Sequence, residues 1–216
     1  HEYMHKNGFT EIEAPSMSGA TSEGGSETFQ VKYFDRKAYL TQSWQFYAEN
    51  FIHAVGNAYA MAPSFRAEKS KTSRHLSEFW MAEMEAAWMK LHDVTEMAKE
   101  EIRFIIKKVL EKNQTELEKL GQDIDKLKKI SEKKYPTITY KEALKILKEK
   151  ENMEIEWGKD LRTIEENCLM KHFDTPVVVT IYPLETMAFY NPPDPDDPET
   201  ALCFDMIAPE NYGEIV

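Results

Sequence analysis

Cysteine is scarce in this chain, whose 216 residues include only Cys168 and Cys203. Two thiols exclude a multi-disulfide framework and favour a reducing compartment. Apolar runs are short as well, and none approaches the roughly 20 residues that a membrane-spanning helix needs. The N-terminus also lacks the pattern of a secretory signal. The sequence therefore predicts a cytoplasmic protein that makes no use of a membrane.

A general excess of basic residues is also missing. Lysine and arginine number 27 against 38 aspartates and glutamates, and the formal net charge is −11. This balance argues against a general nucleic-acid binder, which needs a broad basic face, but it permits local basic patches. Hydrophobic residues make up 42% of the chain and aromatic residues 12%, which supports a folded core.

The hydrophobic pattern predicts strands before and after a block of helices. A helix is expected from Ser43 to about Val55, followed by two strands that a basic loop connects. A long helix from about Val94 to Lys112 and a helical hairpin over 113–134 come next. This order indicates an α+β fold in which an antiparallel β-sheet is flanked by helices.

The basic loop belongs to the stretch FRAEKSKTSRHLSEF, which starts at Phe65. Because side chains alternate along a strand, Arg66 and Glu68 share one face, and Phe79, Glu83 and Glu85 share a face of the second strand. A guanidinium binds phosphate through two parallel hydrogen bonds, and a flat ring can stack on a base. The pattern therefore suggests a nucleotide pocket. The alternative is a structural ion pair between Arg66 and Glu85 beneath a solvated loop.

This stretch resembles the second signature motif of the class II aminoacyl-tRNA synthetases, in the subclass for aspartate, asparagine and lysine. Other segments resemble further parts of the same family and follow one another in the same order along the chain. GFTEIEAP resembles the first motif, TSEGGSETF the loop that closes over the amino acid, and LTQSWQFYAE the amino-acid-recognition helix. AFYN and CFDMIAPENYGEIV resemble the strands that carry metal-binding carboxylates. The resemblance covers nearly the whole chain.

The resemblance implies a catalytic domain that joins an amino acid to ATP and passes the acyl group to tRNA. Arg66 would hold the α-phosphate and the amino-acid carboxylate, and Phe79 would stack on adenine. Glu83 would receive the α-ammonium group, while Glu85 would orient Arg66. The other expected ligands are Glu68 and Ser70 for adenosine, Arg74 and His75 for the outer phosphates, and Asp205 and Glu214 for Mg²⁺. The first motif implies a homodimer.

The recognition helix indicates which amino acid is bound. Gln42, Gln45 and Glu49 fall near one helix face, and Glu23 in the mobile loop could close on the substrate. Relatives that use aspartate resemble QSPQ followed by a lysine at the place of Ala48. Without that cation, and with Glu49 to accept from an amide and repel a carboxylate, asparagine is the expected substrate. The alternative for Glu49 is a solvated helix residue that does not contact the substrate. The alternative for Gln42 and Gln45 is a packing or capping role.

The chain departs from the family pattern at both ends. It stops at Val216 before the third motif, and the N-terminal anticodon-binding domain is absent. We expect a partial catalytic domain over 1–216, with the first two motifs in 1–93, a helical insertion over 94–150 and the C-terminal strands in 151–216. These residues alone are expected to be inactive.

Three other functions stay open at this point. One is an aspartate–tRNA ligase of the same subclass, and another is a tRNA-independent asparagine synthetase on the same fold. The third is a regulatory or scaffold paralogue without catalysis. Ala48 argues against the second function, because activated aspartate would lack its counter-charge.

Overall fold

The computed structural model of the chain describes residues 1–19, 28–67, 69 and 75–216. These residues form two compact units, His1–Met89 and Lys90–Val216. The helices and strands of the first unit are α1 (Glu2–Lys6), β1 (Thr10–Glu11), β2 (Met17–Ser18), β3 (Gln30–Tyr33), β4 (Arg36–Leu40), α2 (Gln45–Val55), β5 (Asn57–Phe65) and β6 (Glu78–Ala86).

The described part of the first unit contains two three-stranded sheets. One has the order β1-β5-β6, in which β5 and β6 are antiparallel neighbours and β1 runs parallel to β5. The other has the order β2-β4-β3 and is antiparallel throughout. The strand that follows Gly8 is short, because only Thr10 and Glu11 pair with β5.

Helix α2 packs on the first sheet through small side chains. Ala48 on the helix is fully buried and belongs to one apolar cluster with Ala58 and Ala60 of β5 and with Trp44. Alanines on both surfaces let the helix approach the strand closely. The helix ends at Gly56, whose φ of 77° lies in the left-handed region that favours glycine. The predicted helix is confirmed, with its first residue at Gln45 rather than Ser43.

Tyr59 connects helix α1 to the strands of this unit. Its hydroxyl donates to Glu11 Oε2 at 3.0 Å and also lies 3.0 Å from His5 Nε2 and 2.9 Å from His1 Nδ1. Burial and the Glu11 carboxylate raise the pKa of Tyr59 to about 12, so the hydroxyl stays protonated at neutral pH. One buried phenol therefore joins three elements of the unit.

Tyr59→Phe is expected to lower the free energy of unfolding by about 1–2 kcal/mol, because it removes these hydrogen bonds without changing the ring. The shift in the urea midpoint at pH 7.5 measures the effect. Tyr33→Phe is the control, since Tyr33 is exposed and its substitution should change stability by less than about 0.5 kcal/mol. Equal midpoints for the two variants would contradict the role given to Tyr59.

The second unit contains the long helix and the remaining strands. Its elements are α3 (Leu91–Lys112), α4 (Gln114–Lys119), α5 (Ile124–Glu132), β7 (Thr137–Thr139), α6 (Tyr140–Glu151), α7 (Thr163–Met170), β8 (Val177–Pro183), a 3₁₀ turn (Leu184–Thr186), β9 (Thr200–Ala208) and β10 (Gly213–Glu214). The four strands form one sheet of order β10-β9-β8-β7.

The core of this unit lies where α6 and α7 cover the sheet. Val177 and Val179 of β8 and Ile207 of β9 are buried in one cluster with Leu147 and Leu169 of the two helices. Helix α6 begins with a capping box, in which the Thr139 and Glu142 side chains each bond to the other's backbone N–H.

One strand lies inside the range predicted as a helical insertion, 94–150. The three residues of β7 pair in parallel with Val178–Thr180 of β8. The hairpin expected over 113–134 corresponds to α4 and α5, and α5 packs on α3.

The α+β class predicted from the sequence is confirmed. Most strand pairs are antiparallel, and the exceptions among the described residues are β1–β5 and β7–β8. No helix in the described ranges has the length and apolar character needed to cross a bilayer.

Candidate functional site

Strands β5 and β6 place a guanidinium beside an aromatic ring. Ser64 lies opposite Phe79 and Phe65 opposite Glu78, and the Arg66 N–H donates to the Ser77 carbonyl at 3.1 Å, which continues this register by one more pair. Arg66 and Phe79 therefore share a face, and the Arg66 Cζ atom lies 5.6 Å from the centre of the Phe79 ring. Arg66 Nε is buried and has no hydrogen-bond partner among the described residues. A buried donor of this kind can bind an anionic ligand.

The predicted contact between Arg66 and Glu85 is wrong. Glu85 lies opposite Ala58, whereas Arg66 lies at the level of Ser77. Eight residues of strand separate the two levels, which is about 26 Å. This separation rules out both the orienting role predicted for Glu85 and the alternative of a structural ion pair.

Glu83 contacts the N-terminus of helix α2. Its Oε1 accepts from the Ser43 hydroxyl at 2.6 Å, and the Trp44 N–H donates to Oε1 at 3.1 Å and to Oε2 at 3.0 Å. Ser43 Oγ in turn accepts from the Gln45 N–H at 3.1 Å. Ser43 was not among the residues predicted for the site, although a serine just before a helix is a common capping signal.

A group of three carboxylates lies where α2 meets β6, formed by Glu49, Glu83 and Glu85. Burial raises the pKa of Glu85 to about 6, and the charges of Glu49 and Glu83 shift it in the same direction. Glu49 is itself exposed and accepts a hydrogen bond from Gln45 Nε2 at 3.3 Å. Gln42, the third polar residue predicted on this helix, precedes α2 and is buried.

Several predicted ligands lie outside the described residues. These are Glu23, Glu68, Ser70 and Arg74. His75 is described and is exposed.

The second unit contains the two carboxylates predicted to bind metal. Asp205 lies on β9, and Glu214 on β10 is paired with Ile207, two residues further along β9. Because paired residues share a face and alternate residues do too, the two carboxylates lie on the same face of this sheet. Within the described ranges, no three or more His, Cys, Asp or Glu side chains are grouped so that they could hold a metal ion.

Asp205 is in a strongly acidic environment. Burial raises the pKa of its carboxyl to about 6, the Tyr182 hydroxyl opposes this shift, and the charges of Asp160 and Glu166 add to it. No sequence signal marks Asp160 and Glu166, because they lie about 40 residues before Asp205 and approach it only in the fold.

This shift predicts how stability depends on pH. The folded-state pKa of Asp205 lies above its usual value of 3.8, so the ionised carboxyl destabilises the fold. The free energy of unfolding should therefore fall as pH rises from about 4 through about 6. Asp205→Asn should raise it at pH 7.5 by about 1–3 kcal/mol, with a gain that disappears below pH 4.

Urea unfolding from pH 3.5 to 8 in EDTA tests this prediction. Glu214→Gln is the control, because Glu214 is exposed and its substitution should leave the pH dependence nearly unchanged. A free energy of unfolding for Asp205→Asn that follows the native protein at every pH would contradict the prediction.

Comparison with known proteins gives a consistent assignment. The model of the family described as "tRNA synthetases class II (D, K and N)" matches residues 1–216. The chain is 44% identical over 221 residues to the asparagine–tRNA ligase of Koribacter versatilis (strain Ellin345), and the match covers 100% of this chain and 50% of that protein.

Solved structures of this family have the same fold. The asparaginyl-tRNA synthetase of Pyrococcus horikoshii complexed with asparaginyl-adenylate superposes with a TM-score of 0.95 at 43% identity, over 99% of this chain and 49% of that one. The asparaginyl-tRNA synthetase of Entamoeba histolytica in complex with asparaginyl-adenylate gives 0.84 at 27% identity, over 99% and 48%.

The match extends over all of the chain, although the chain spans only about half the length of these relatives. The motifs that carried the resemblance fall on the hairpin β5–β6, on helix α2 and on strands β9 and β10. The chain belongs to the class II tRNA synthetases of the aspartate, lysine and asparagine group.

Proposed function

We propose that the protein containing this chain activates asparagine with ATP and transfers the asparaginyl group to tRNA. Family membership supports the reaction class. The names of the relatives support the amino acid, since the Koribacter protein is an asparagine–tRNA ligase and the Pyrococcus structure contains asparaginyl-adenylate.

The group of three carboxylates is the observation that best supports asparagine over aspartate. Glu49, Glu83 and Glu85 make the field at this end of α2 negative, which disfavours a substrate carboxylate. At position 48, where an aspartate site would need a cation, Ala48 is fully buried against Ala58 and Ala60. A neutral carboxamide can donate to Glu49 without adding charge.

The activation step is the attack of the substrate carboxylate on the α-phosphorus of ATP, with pyrophosphate as the leaving group. Both reacting groups are anionic, so the site must neutralise charge rather than supply a nucleophile. Arg66 fits this task because its buried Nε has no hydrogen-bond partner among the described residues, and the neighbouring Phe79 ring offers a face to adenine. Glu68, Ser70, Arg74 and His75 are proposed as further ATP contacts.

Asp205 and Glu214 are proposed to bind Mg²⁺. Magnesium usually takes one or two protein carboxylates together with substrate phosphates, so two carboxylates on one sheet face fit it. Burial is the main cause of the raised pKa of Asp205, and the charges of Asp160 and Glu166, which add to it, would also attract a cation. The ion would supply charge neutralisation on the phosphates when bound.

Three further assignments complete the proposal. Glu23 contacts the bound amino acid, α1 and β1 belong to a homodimer interface, and the protein acts in the cytoplasm. Each rests on the sequence motifs described above and is open to test in the native protein.

ATP–pyrophosphate exchange with the full native protein tests the function. We expect exchange that depends on asparagine and Mg²⁺, little exchange with aspartate, and aminoacylation of tRNA with asparagine. The 216 residues alone should give no exchange, and an exchange signal from them would overturn that expectation.

The same assays separate the alternatives. Exchange with aspartate but not with asparagine would indicate an aspartate–tRNA ligase, and formation of free asparagine from aspartate and ammonia would indicate the tRNA-independent synthetase. A scaffold paralogue would show no ATP binding by calorimetry. Any of these results would reject the proposed function.

A further inference from the structure

Tyr182 lies on the opposite face of strand β8 from the one that its position predicts. Side chains alternate along a strand, so Tyr182 should share the face of Val178. Val178 is buried in the apolar cluster on one face of the sheet. Tyr182 is instead buried in the cluster on the other face, together with Val177 and Val179. An irregularity between Val179 and Tyr182 has therefore turned the tyrosine over.

The irregularity is at Ile181. Strand β8 pairs regularly with β9 from Val177 to Thr180, and the register shifts between Thr180 and Tyr182. Ile181 has a φ of 60°, in the left-handed region that a β-branched residue rarely adopts. Strained backbone of this kind is found mainly at functional sites, and irregular strand pairing often redirects a side chain there. The strain at Ile181 therefore directs attention to the face that Tyr182 reaches.

That face carries both carboxylates proposed to bind Mg²⁺. Asp205 lies opposite Val179, and Glu214 lies opposite Ile207, which is buried in the same cluster as Tyr182. Burial, followed by the charges of Asp205 and Glu214, raises the pKa of the Tyr182 hydroxyl. The hydroxyl therefore stays protonated at neutral pH and can donate a hydrogen bond to a carboxylate.

The Tyr182 hydroxyl has no settled partner. Tyr182 is only 2% exposed, and its Oη makes no hydrogen bond of standard geometry among the described residues. Burial raises the pKa of the Asp205 carboxyl, and the Tyr182 hydroxyl is near enough to oppose that rise. A small rotation of the Asp205 carboxylate would complete a hydrogen bond from Tyr182 to one oxygen and leave the other oxygen for a cation.

We infer that Tyr182 is a positioning residue for Mg²⁺, whose hydroxyl donates to Asp205 and orients that carboxylate, beside Glu214, toward the ion. The inference rests on the proposed function, in which these two carboxylates bind Mg²⁺. Because Mg²⁺ requires a nearly octahedral arrangement of oxygen atoms, the orientation of each of two carboxylates affects its binding. Loss of a hydrogen bond to a metal ligand lowers metal affinity by roughly 10- to 100-fold.

Binding of Mn²⁺ in place of Mg²⁺ tests the inference without any reaction, because electron paramagnetic resonance measures the free ion. In the full native protein, Asp205→Asn should abolish binding at this site, and Tyr182→Phe should weaken it by roughly 10-fold. Tyr140→Phe is the matched control, since the Tyr140 ring lies 5.2 Å from that of Tyr182 but its hydroxyl donates to the Lys159 carbonyl. Mn²⁺ binding by Tyr182→Phe that is as tight as by Tyr140→Phe would overturn the inference.

The Mg²⁺ dependence of ATP–pyrophosphate exchange gives a second readout. Tyr182→Phe should raise the free Mg²⁺ concentration for half-maximal exchange by roughly 10-fold and leave kcat at saturating Mg²⁺ within about threefold of native, because excess ion refills the site. Tyr140→Phe should keep the native Mg²⁺ requirement. A Tyr182→Phe variant with a native Mg²⁺ requirement and a reduced kcat would reject the inference.

Unfolding in urea with EDTA tests whether the Tyr182 hydroxyl serves the fold instead. It lacks a hydrogen bond of standard geometry, whereas the Tyr140 hydroxyl donates to the Lys159 carbonyl at 2.5 Å. The urea midpoint of Tyr182→Phe should therefore lie at or above that of Tyr140→Phe. A midpoint well below it, or a variant that does not fold, would show that the hydroxyl stabilises the core and would count against the inference.

These measurements separate the inference from the proposed function. Native protein that gives asparagine-dependent exchange, with Mn²⁺ binding lost in Asp205→Asn but unchanged in Tyr182→Phe, would reject the inference alone. Weaker Mn²⁺ binding by Tyr182→Phe in a protein that gives no exchange with asparagine would support the role of Tyr182 and reject the proposed function. Native Mn²⁺ binding by Asp205→Asn would reject the metal site, and the inference with it.

Discussion

Replacing Arg66 by lysine in the full native protein is expected to lower kcat for asparagine-dependent ATP–pyrophosphate exchange by about 100- to 1000-fold. This is the range seen when one preorganised donor to a developing charge is removed. Lysine keeps the positive charge, so a large loss would show that the planar fork of the guanidinium is required and not only its charge. Arg66 Nε is buried without a partner among the described residues, and a lysine has no donor at that position.

Arg36→Lys is the matched control, because Arg36 lies exposed on β4 of the same unit. It should retain native exchange. Thermal unfolding of Arg66→Lys should remain close to native, which separates lost chemistry from lost structure. Retention of exchange within threefold of native by Arg66→Lys would remove Arg66 from the proposed mechanism.

The β5–β6 hairpin and helix α2 could be predicted from the sequence because the patterns that indicate them are local. Strand alternation placed Phe79, Glu83 and Glu85 on one face, and the register confirms it. Helix α2 follows from its apolar spacing, and Gly56 ends it. These features depend on residues a few positions apart.

The distance between Arg66 and Glu85, in contrast, could not be predicted from the sequence. Alternation states which face a side chain takes, but not how far along the strand it lies from a residue on the neighbouring strand. That distance depends on the register of β5 and β6, which places the two residues about 26 Å apart. The same reason explains β7, whose three residues read as part of a helical segment until their pairing with β8 is known.

The capping of α2 by Glu83 is harder still to predict from the sequence. The cap and the helix are 39 residues apart in the chain, and the capping patterns that can be read from sequence use residues within one turn of the helix. Only the packing of α2 on the hairpin brings them together. Much of the predicted site therefore follows from motifs, whereas the connections between its parts follow from tertiary structure.

Substitution of Glu49 is expected to have the second large effect, on the choice of amino acid. Glu49 lies close enough to Glu85 for its charge to raise the pKa of that carboxyl, so it also acts on a substrate bound beside it. Two carboxylates at about 4 Å repel by up to about 4 kcal/mol near a protein surface. Because Glu49 is exposed, solvent weakens this repulsion, and Glu49→Gln should lower the preference for asparagine over aspartate by about 100-fold or less.

The ratio of kcat/KM for asparagine and aspartate in pyrophosphate exchange measures this effect in the full native protein. Glu49→Gln keeps an oxygen that accepts from the carboxamide, so most of the change should come from a gain with aspartate. Glu78→Gln, on the other face of β6, should leave the ratio unchanged. The pKa of Glu85, followed by NMR of its carboxyl carbon, should fall in Glu49→Gln, because one of the charges that raise it is gone. If the pKa falls while the preference for asparagine stays native, Glu49 is near Glu85 but does not contact the substrate, and the discrimination must lie elsewhere.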